Sequence, residues 1–167
     1  VTSETAAYVC GQCLSCRAGN YNTCAEKKLT GYVYDGCFAR YCVVDAERVH
    51  RLPENVDFVA GALTEPLACC VHAVLELTVI SAGDVVAITG PGPIGLLCLQ
   101  LVKAAGGYAI VCGTSQDAER LQVARGLDAN LTLDVQQQDA LDIVKELTSG
   151  EGADVVLECS GVPAGAR

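Results

Sequence analysis

Hydrophobic and polar positions follow two different patterns along the chain. Over residues 1–56 the apolar positions come in short runs broken by Gly, Cys, Tyr and Asn. The run 38–44 predicts a strand, and Asp35-Gly36 predicts a turn before it. The transition begins at Pro53 and Glu54. Asp57 is placed to cap a short helix through residue 63, and Thr64 to cap the next, with Pro66 in its first turn and an end near residue 77. From Asp84 onward strands and helices alternate. Strands are predicted at 85–89, 108–112, 131–133 (the weakest) and 154–159. The first intervening helix, 94–105, is polar only at Gln100 and Lys103, which predicts burial nearly all round. The second starts at Ser115 or Asp117 and ends near Gly126. The third is capped by Asp139, carries the stripe Ala140, Ile143, Val144 and Leu147, and stops at Gly150. Strand–helix alternation with short loops predicts a parallel, doubly wound α/β sheet. The expected layout is a first domain at 1–56, connecting helices at 57–83 and the sheet domain at 84–167. No internal repeat and no low-complexity segment interrupts it.

Composition narrows the class. Of the 167 residues, 51% are hydrophobic and 19% charged, a globular balance. The net charge of -9 argues against a nucleic-acid partner, because no basic surface is available for phosphates. No apolar run of about 18 residues lacks polar breaks, so no membrane span is expected. The first residues do not have the pattern of a signal peptide. The chain contains no Met, and its start at Val1 suggests a piece of something longer.

The cysteines change the picture most. There are eleven, an odd number, so complete internal pairing is impossible. Cys37, Cys42, Cys69, Cys70, Cys98, Cys112 and Cys159 lie among apolar residues and are expected to be reduced core cysteines of a cytoplasmic protein. Cys10, Cys13, Cys16 and Cys24 are different. They are spaced three, three and eight apart on a segment with Gly11, Gly19 and Asn20 for tight turns. Four thiolates so close in sequence suit a tetrahedral Zn²⁺ with no open position, which is a structural site. The alternatives are disulfides, which fit poorly with a reducing compartment, and an iron–sulfur cluster, whose proline-flanked ferredoxin pattern is missing.

Gly90-Pro91-Gly92-Pro93-Ile94-Gly95 has the form G-x-G-x-x-G between a predicted buried strand and a predicted helix. In that context Gly90 makes the tight turn. Gly92 admits a pyrophosphate close to the backbone, and Gly95 lets helix and sheet pack closely. Pro93 and Ile94 open the helix whose N-terminus faces the phosphates. An ordinary Gly/Pro loop is the alternative. The second strand carries no carboxylate at its tip, where Gly113-Thr114-Ser115 stands. Thr114 and Ser115 are placed to hydrogen-bond a 2′-phosphate, and Arg120 to reach it from the next helix. An exposed helix charge is the alternative for Arg120. The choice between NAD and NADP stays open.

Taken together, C-G-Q-C-L-S-C-R-A-G-N-Y-N-T-C, D-G-C-F-A-R-Y, T-E-P-L-A-C-C-V-H-A and G-P-G-P-I-G resemble, in their order, the zinc-dependent medium-chain dehydrogenases. The nearest likeness is to sorbitol and threonine dehydrogenases. That resemblance implies a partial Rossmann fold plus a partial GroES-like β domain carrying the structural-zinc lobe. It implies hydride transfer from a secondary alcohol or polyol to NAD or NADP, with a catalytic zinc as Lewis acid. Glu65 matches the position where alcohol dehydrogenases place a cysteine ligand and the polyol branch a glutamate, which binds the zinc directly or through water. A simple helix-start carboxylate is the alternative for Glu65. The family's other catalytic ligands, a Cys and a Gly-His-Glu motif, precede the zinc lobe and have no match here. His50 is expected at an exposed strand end and His72 as a packing residue. Relatives are expected to be dimers or tetramers. A second reading is a non-catalytic remnant that binds zinc and nucleotide.

Overall fold

The computed structural model describes residues 1–162. They fall into two compact units, one at Val1–Glu65 and one starting at Pro66.

The first unit is built from small β ribbons and little core. Strand β1 (Thr2–Ser3) pairs antiparallel with β4 (Val49–His50), and β2 (Ala6–Tyr8) with β3 (Lys28–Leu29). Glu4 ties the first ribbon: its carboxylate accepts from Arg48 Nη1 at 3.0 Å and lies 3.2 Å from His50 Nε2. His50 thus sits at an exposed strand end, as expected. Two expectations fail. The run 38–44 forms no strand; Phe38, Tyr41 and Val43 are exposed and no backbone ladder meets them. Apolar residues with β propensity make a strand only where a neighbouring strand satisfies the backbone. The turn falls at Gly31 rather than Asp35-Gly36. Gly31 has φ +83°, and its N–H donates to the Tyr34 carbonyl at 2.9 Å.

Asp57 caps helix α2 (Phe58–Gly61) as expected, accepting from the Ala60 N–H at 2.8 Å. Helix α3 (Thr64–Val71) follows and continues through a π turn, His72–Glu76. Thr64 does not cap it. Thr64 is its first residue, and its hydroxyl donates back to the Gly61 carbonyl at 2.7 Å. The preceding turn satisfies the hydroxyl, so it is not left to hold the helix's own N–H groups.

In the second unit the expected alternation appears. Strand β5 (Val85–Thr89) is followed by α4 (Pro93–Ala104), β6 (Tyr108–Gly113), α5 (Ala118–Gly126), β7 (Leu131–Asp134), α6 (Ala140–Leu147) and β8 (Val155–Glu158). All four strands are parallel, in the order β7-β6-β5-β8. The chain therefore reverses direction of travel between β5 and β8, and such a switch point opens a crevice at the carboxyl ends of the strands. Alternation along β6 serves both faces. Ala109 and Val111 join Leu97, Leu99, Val102, Leu121 and Ala124 of α4 and α5 on one side. Ile110 and Cys112 meet Leu133 and Val144 of α6 on the other. Asp139 caps α6, accepting from the Leu141 and Asp142 N–H groups.

The seven scattered cysteines divide. Cys70, Cys98 and Cys112 are buried and Cys159 is half-buried, as core cysteines should be. Burial pushes the Cys70 thiol up to about 12, so it stays protonated. Cys37, Cys42 and Cys69 are exposed instead. The first two lie on the unpaired 38–44 run or just beside it. Cys69 precedes Cys70 on α3, and consecutive helix residues face different ways.

Candidate functional site

Four thiols converge at the end of β2. Cys13 caps the short helix α1 (Leu14–Arg17), a 3₁₀ turn covers Tyr21–Thr23, and Cys24 closes the loop. The Sγ atoms of Cys10, Cys13, Cys16 and Cys24 all lie within 4.8 Å of one another. Cys24 Sγ stands 3.6 Å from Cys10 Sγ, and Cys10 Sγ 4.0 Å from Cys16 Sγ. A disulfide would bring two sulfurs to about 2.05 Å, and none of these cysteines is paired. A zinc–thiolate tetrahedron with arms of about 2.3 Å has edges of about 3.8 Å, close to the 3.6 and 4.0 Å of these two pairs. A multi-iron cluster, with several metal atoms between its thiolates, would hold them farther apart. Backbone donors favour thiolates here. Cys13 N–H points at Cys10 Sγ (3.4 Å), Cys16 N–H at Cys13 Sγ (3.5 Å) and Cys10 N–H at Cys24 Sγ (3.5 Å). The Gln12 and Cys13 N–H groups draw the Cys10 thiol down to about 7, whereas burial pushes Cys16 up to about 12. The donor set thus fits a structural metal.

The glycine turn sits at the switch point. Gly90 has φ +94°, the left-handed region that favours glycine, and its N–H donates to the Cys112 carbonyl at 2.8 Å. A Cβ on Gly90 would come within 2.6 Å of Ser160 Cα, on the segment leaving β8. A Cβ on Gly95 would meet the Gly90 carbonyl oxygen at 2.0 Å, so Gly95 is the helix–turn packing glycine. Gly92 differs from both. Its φ is -74° and a Cβ there would meet nothing within 4 Å. Open space lies over Gly92 at the N-terminus of the twelve-residue helix α4, where free N–H groups and the dipole favour a phosphate. Pro93 and Ile94 are exposed beside it.

At the tip of β6, Thr114, Ser115 and Arg120 come together, but two carboxylates already hold them. The Thr114 N–H and hydroxyl donate to Asp117 Oδ2 at 3.0 and 2.8 Å, and Arg120 donates to Asp117 Oδ1 at 3.2 Å. The Ser115 hydroxyl donates to Asp134 Oδ2 at 2.6 Å, across the tip of β7. Sequence reasoning placed Asp117 beyond the strand and did not single out Asp134. The T-x-x-D spacing of a capping box was legible; the meeting of Ser115 with Asp134 depends on strand pairing. The Thr114 N–H, above all, holds the Asp117 carboxyl below its ordinary value. Its folded pKa is therefore lower than its unfolded one. It stabilises the fold above the usual carboxylate range, and that stabilisation is lost as pH falls through the lowered value. Asp117→Ala is expected to cost about 1 kcal/mol at neutral pH, with a smaller loss near pH 2, read by urea unfolding at both pH values. An equal loss at both would contradict an ionised cap.

Glu65 lies in the first turn of α3 and is exposed. His72 is half-buried, and its Nδ1 lies 2.5 Å from Glu76 Oε2 one turn on along the same helix. Among the described residues, the four cysteines are the only cluster of three or more metal-ligating side chains.

Comparison with known proteins gives a consistent picture. The family model "Alcohol dehydrogenase GroES-like domain" matches residues 1–54, and "Zinc-binding dehydrogenase" matches 93–167. A sorbitol dehydrogenase of Halalkalibacterium halodurans is 49% identical over 98% of this chain and 48% of its own length. A D-arabitol-phosphate dehydrogenase of Enterococcus avium is 42% identical over 98% of this chain and 47% of its own. Among solved structures, a protein described as a zinc-binding dehydrogenase from Sinorhizobium meliloti 1021, bound to NADP, superposes with a TM-score of 0.86. It is 36% identical, and the match covers 99% of this chain and 48% of that one. The chain belongs to the zinc-dependent medium-chain alcohol dehydrogenase family. It spans about half the length of the curated relatives it matches.

Proposed function

We propose that this chain supplies the structural-zinc lobe and the phosphate-binding half of a zinc-dependent NAD(P) oxidoreductase acting on a secondary alcohol or polyol. The layout proposed is a zinc-bearing domain at 1–56, connecting helices at 57–83 and a cofactor domain at 84–167. The observation that carries the reading is the open space over Gly92, flanked by two glycines packed solid against backbone. A loop that merely joined strand to helix would have no reason to keep Gly92 free of a side chain. Cys10, Cys13, Cys16 and Cys24 hold the structural zinc. Gly90 and Gly95 shape the turn, while Gly92, Pro93 and Ile94 receive the dinucleotide. Glu65 is the ligand this chain offers to a catalytic zinc, directly or through water. A zinc held there would supply Lewis acidity toward an alcohol oxygen. Among the described residues Glu65 belongs to no group of three or more metal-ligating side chains, which favours the remnant reading for this stretch acting by itself. Polyols and their phosphates are the substrate class, supported by the names of the relatives. None of the eleven cysteines forms a disulfide, which supports a reducing compartment, the cytoplasm. No helix among the described residues is long and apolar enough to cross a membrane.

Titration with NADH, followed by its fluorescence, tests the cofactor reading; saturable binding is expected, and none would defeat it. Metal analysis of the same preparation is expected to find a single tightly held zinc per chain. A second tightly held zinc would mean that Glu65 has ligands this reading does not supply.

A further inference from the structure

We propose that Asp117 and Asp134 make the tip of β6 and β7 select NAD over NADP. The inference rests on the dinucleotide reading of the glycine turn.

A bound 2′-phosphate is a dianion near neutral pH and needs unengaged donors and positive charge. Thr114, Ser115 and Arg120 are the donors at this tip: the two hydroxyls are already committed, and the charge of Arg120 is paired although it keeps N–H groups to spare. Thr114 gives both its N–H and its hydroxyl to Asp117. Ser115 gives its hydroxyl to Asp134 and directs its N–H to Gln136 Oε1 at 3.3 Å. Arg120 is paired with Asp117 at 3.2 Å. Among the described residues, Arg120 is the one cation paired with either carboxylate, so the two Asp and one Arg leave the tip with a net charge of about -1 near neutral pH. A phosphate arriving there meets net like charge and must break existing hydrogen bonds to reach the Thr114 and Ser115 hydroxyls.

A ribose hydroxyl meets the opposite situation. Asp134 has capacity to spare: Oδ2 accepts from Ser115, and Oδ1 accepts from the Gln136 N–H at 3.0 Å. Each carboxylate oxygen has about two acceptor positions, so Asp134 can still take a hydroxyl proton donor. Its place at the end of β7, paired with Gly113 at the end of β6, sets it beside Thr114 and Ser115. A carboxylate is usually sought at the end of the second strand. Here the third strand and the start of α5 supply the negative charge, which is why the second-strand tip alone left the cofactor undecided.

The test is a pair of fluorescence titrations, NADH and NADPH, on the parent chain and on Asp134→Asn. NADH is expected to bind the parent at least about tenfold more tightly, a ratio that corresponds to about 1.4 kcal/mol. In Asp134→Asn the ratio is expected to shrink at least about threefold through stronger NADPH binding, while the thermal midpoint, measured alongside, stays near that of the parent. NADPH binding as tight as NADH in the parent would overturn the preference and leave the dinucleotide reading standing. An unchanged ratio in a folded Asp134→Asn would remove Asp134 from the selection, and a misfolded variant is replaced by Ser115→Ala, which frees the same carboxylate and is expected to widen the preference. Binding of neither nucleotide would sink the dinucleotide reading, and this inference with it.

Discussion

Replacing Cys24 with Ser is expected to abolish tight zinc binding and unfold the lobe around residues 10–24, while the parallel sheet persists. The lobe has no core of its own. Helix α1 and the 3₁₀ turn bury no residue, Leu14 and Tyr21 are exposed, and Cys24 is the one buried side chain of the segment. Four residues of helix are far too few to be stable alone. What holds the loop in shape is the convergence of four sulfurs, and a structural zinc contributes roughly 10–16 kcal/mol to such a segment. A serine oxygen is a harder and less acidic ligand than a thiolate, so most of that stabilisation is lost with one ligand. Metal analysis should show zinc falling well below one per chain, and limited proteolysis should cut within the lobe. A strong chelator should reproduce both effects in the parent. Acid should ease release, because each thiolate must be regained against a proton. A Cys24→Ser protein that retains zinc as the parent does would show that the sulfurs converge for another reason.

Gly95→Ala and Gly92→Ala should separate packing from binding at the turn. The new methyl of Gly95→Ala falls 2.0 Å from the Gly90 carbonyl oxygen and 3.2 Å from its carbon. These are backbone atoms in a turn held by the Gly90–Cys112 hydrogen bond, so they cannot swing aside as a side chain would. A loss of about 3 kcal/mol is expected, the upper range for overpacking, read as a lower urea midpoint of the sheet unit. Gly92→Ala meets no atom and keeps an ordinary φ. It should cost about 1 kcal/mol or less, through the weaker N-cap, yet weaken NADH binding by about tenfold, corresponding to about 1.4 kcal/mol. An unfolded Gly92→Ala, or one that binds NADH as the parent does, would contradict the assignment of that open space to a phosphate.

The sequence by itself determined what local chemistry can determine. Strand–helix alternation from Val85 to Glu158 follows from short apolar runs and apolar helical stripes, and the cap at Asp139 from the fit of its carboxylate to free N–H groups. The spacing of Cys10, Cys13, Cys16 and Cys24 was also informative, because ligands on one short loop need no distant partner to meet. Tertiary structure decided whatever depends on residues far apart in the chain. The residues around 38–44 have the composition of a strand, but no neighbour satisfies their backbone. One miss was local instead: the Thr64 hydroxyl answered to the Gly61 carbonyl three residues back, a choice that hydropathy does not rank. Gly90 is required by Ser160, seventy residues on, because β8 lies next to β5. Ser115 is held by Asp134 because β7 lies next to β6. Strand order sets which side chains share the sheet's carboxyl edge, and it is fixed by long-range pairing that no local pattern encodes.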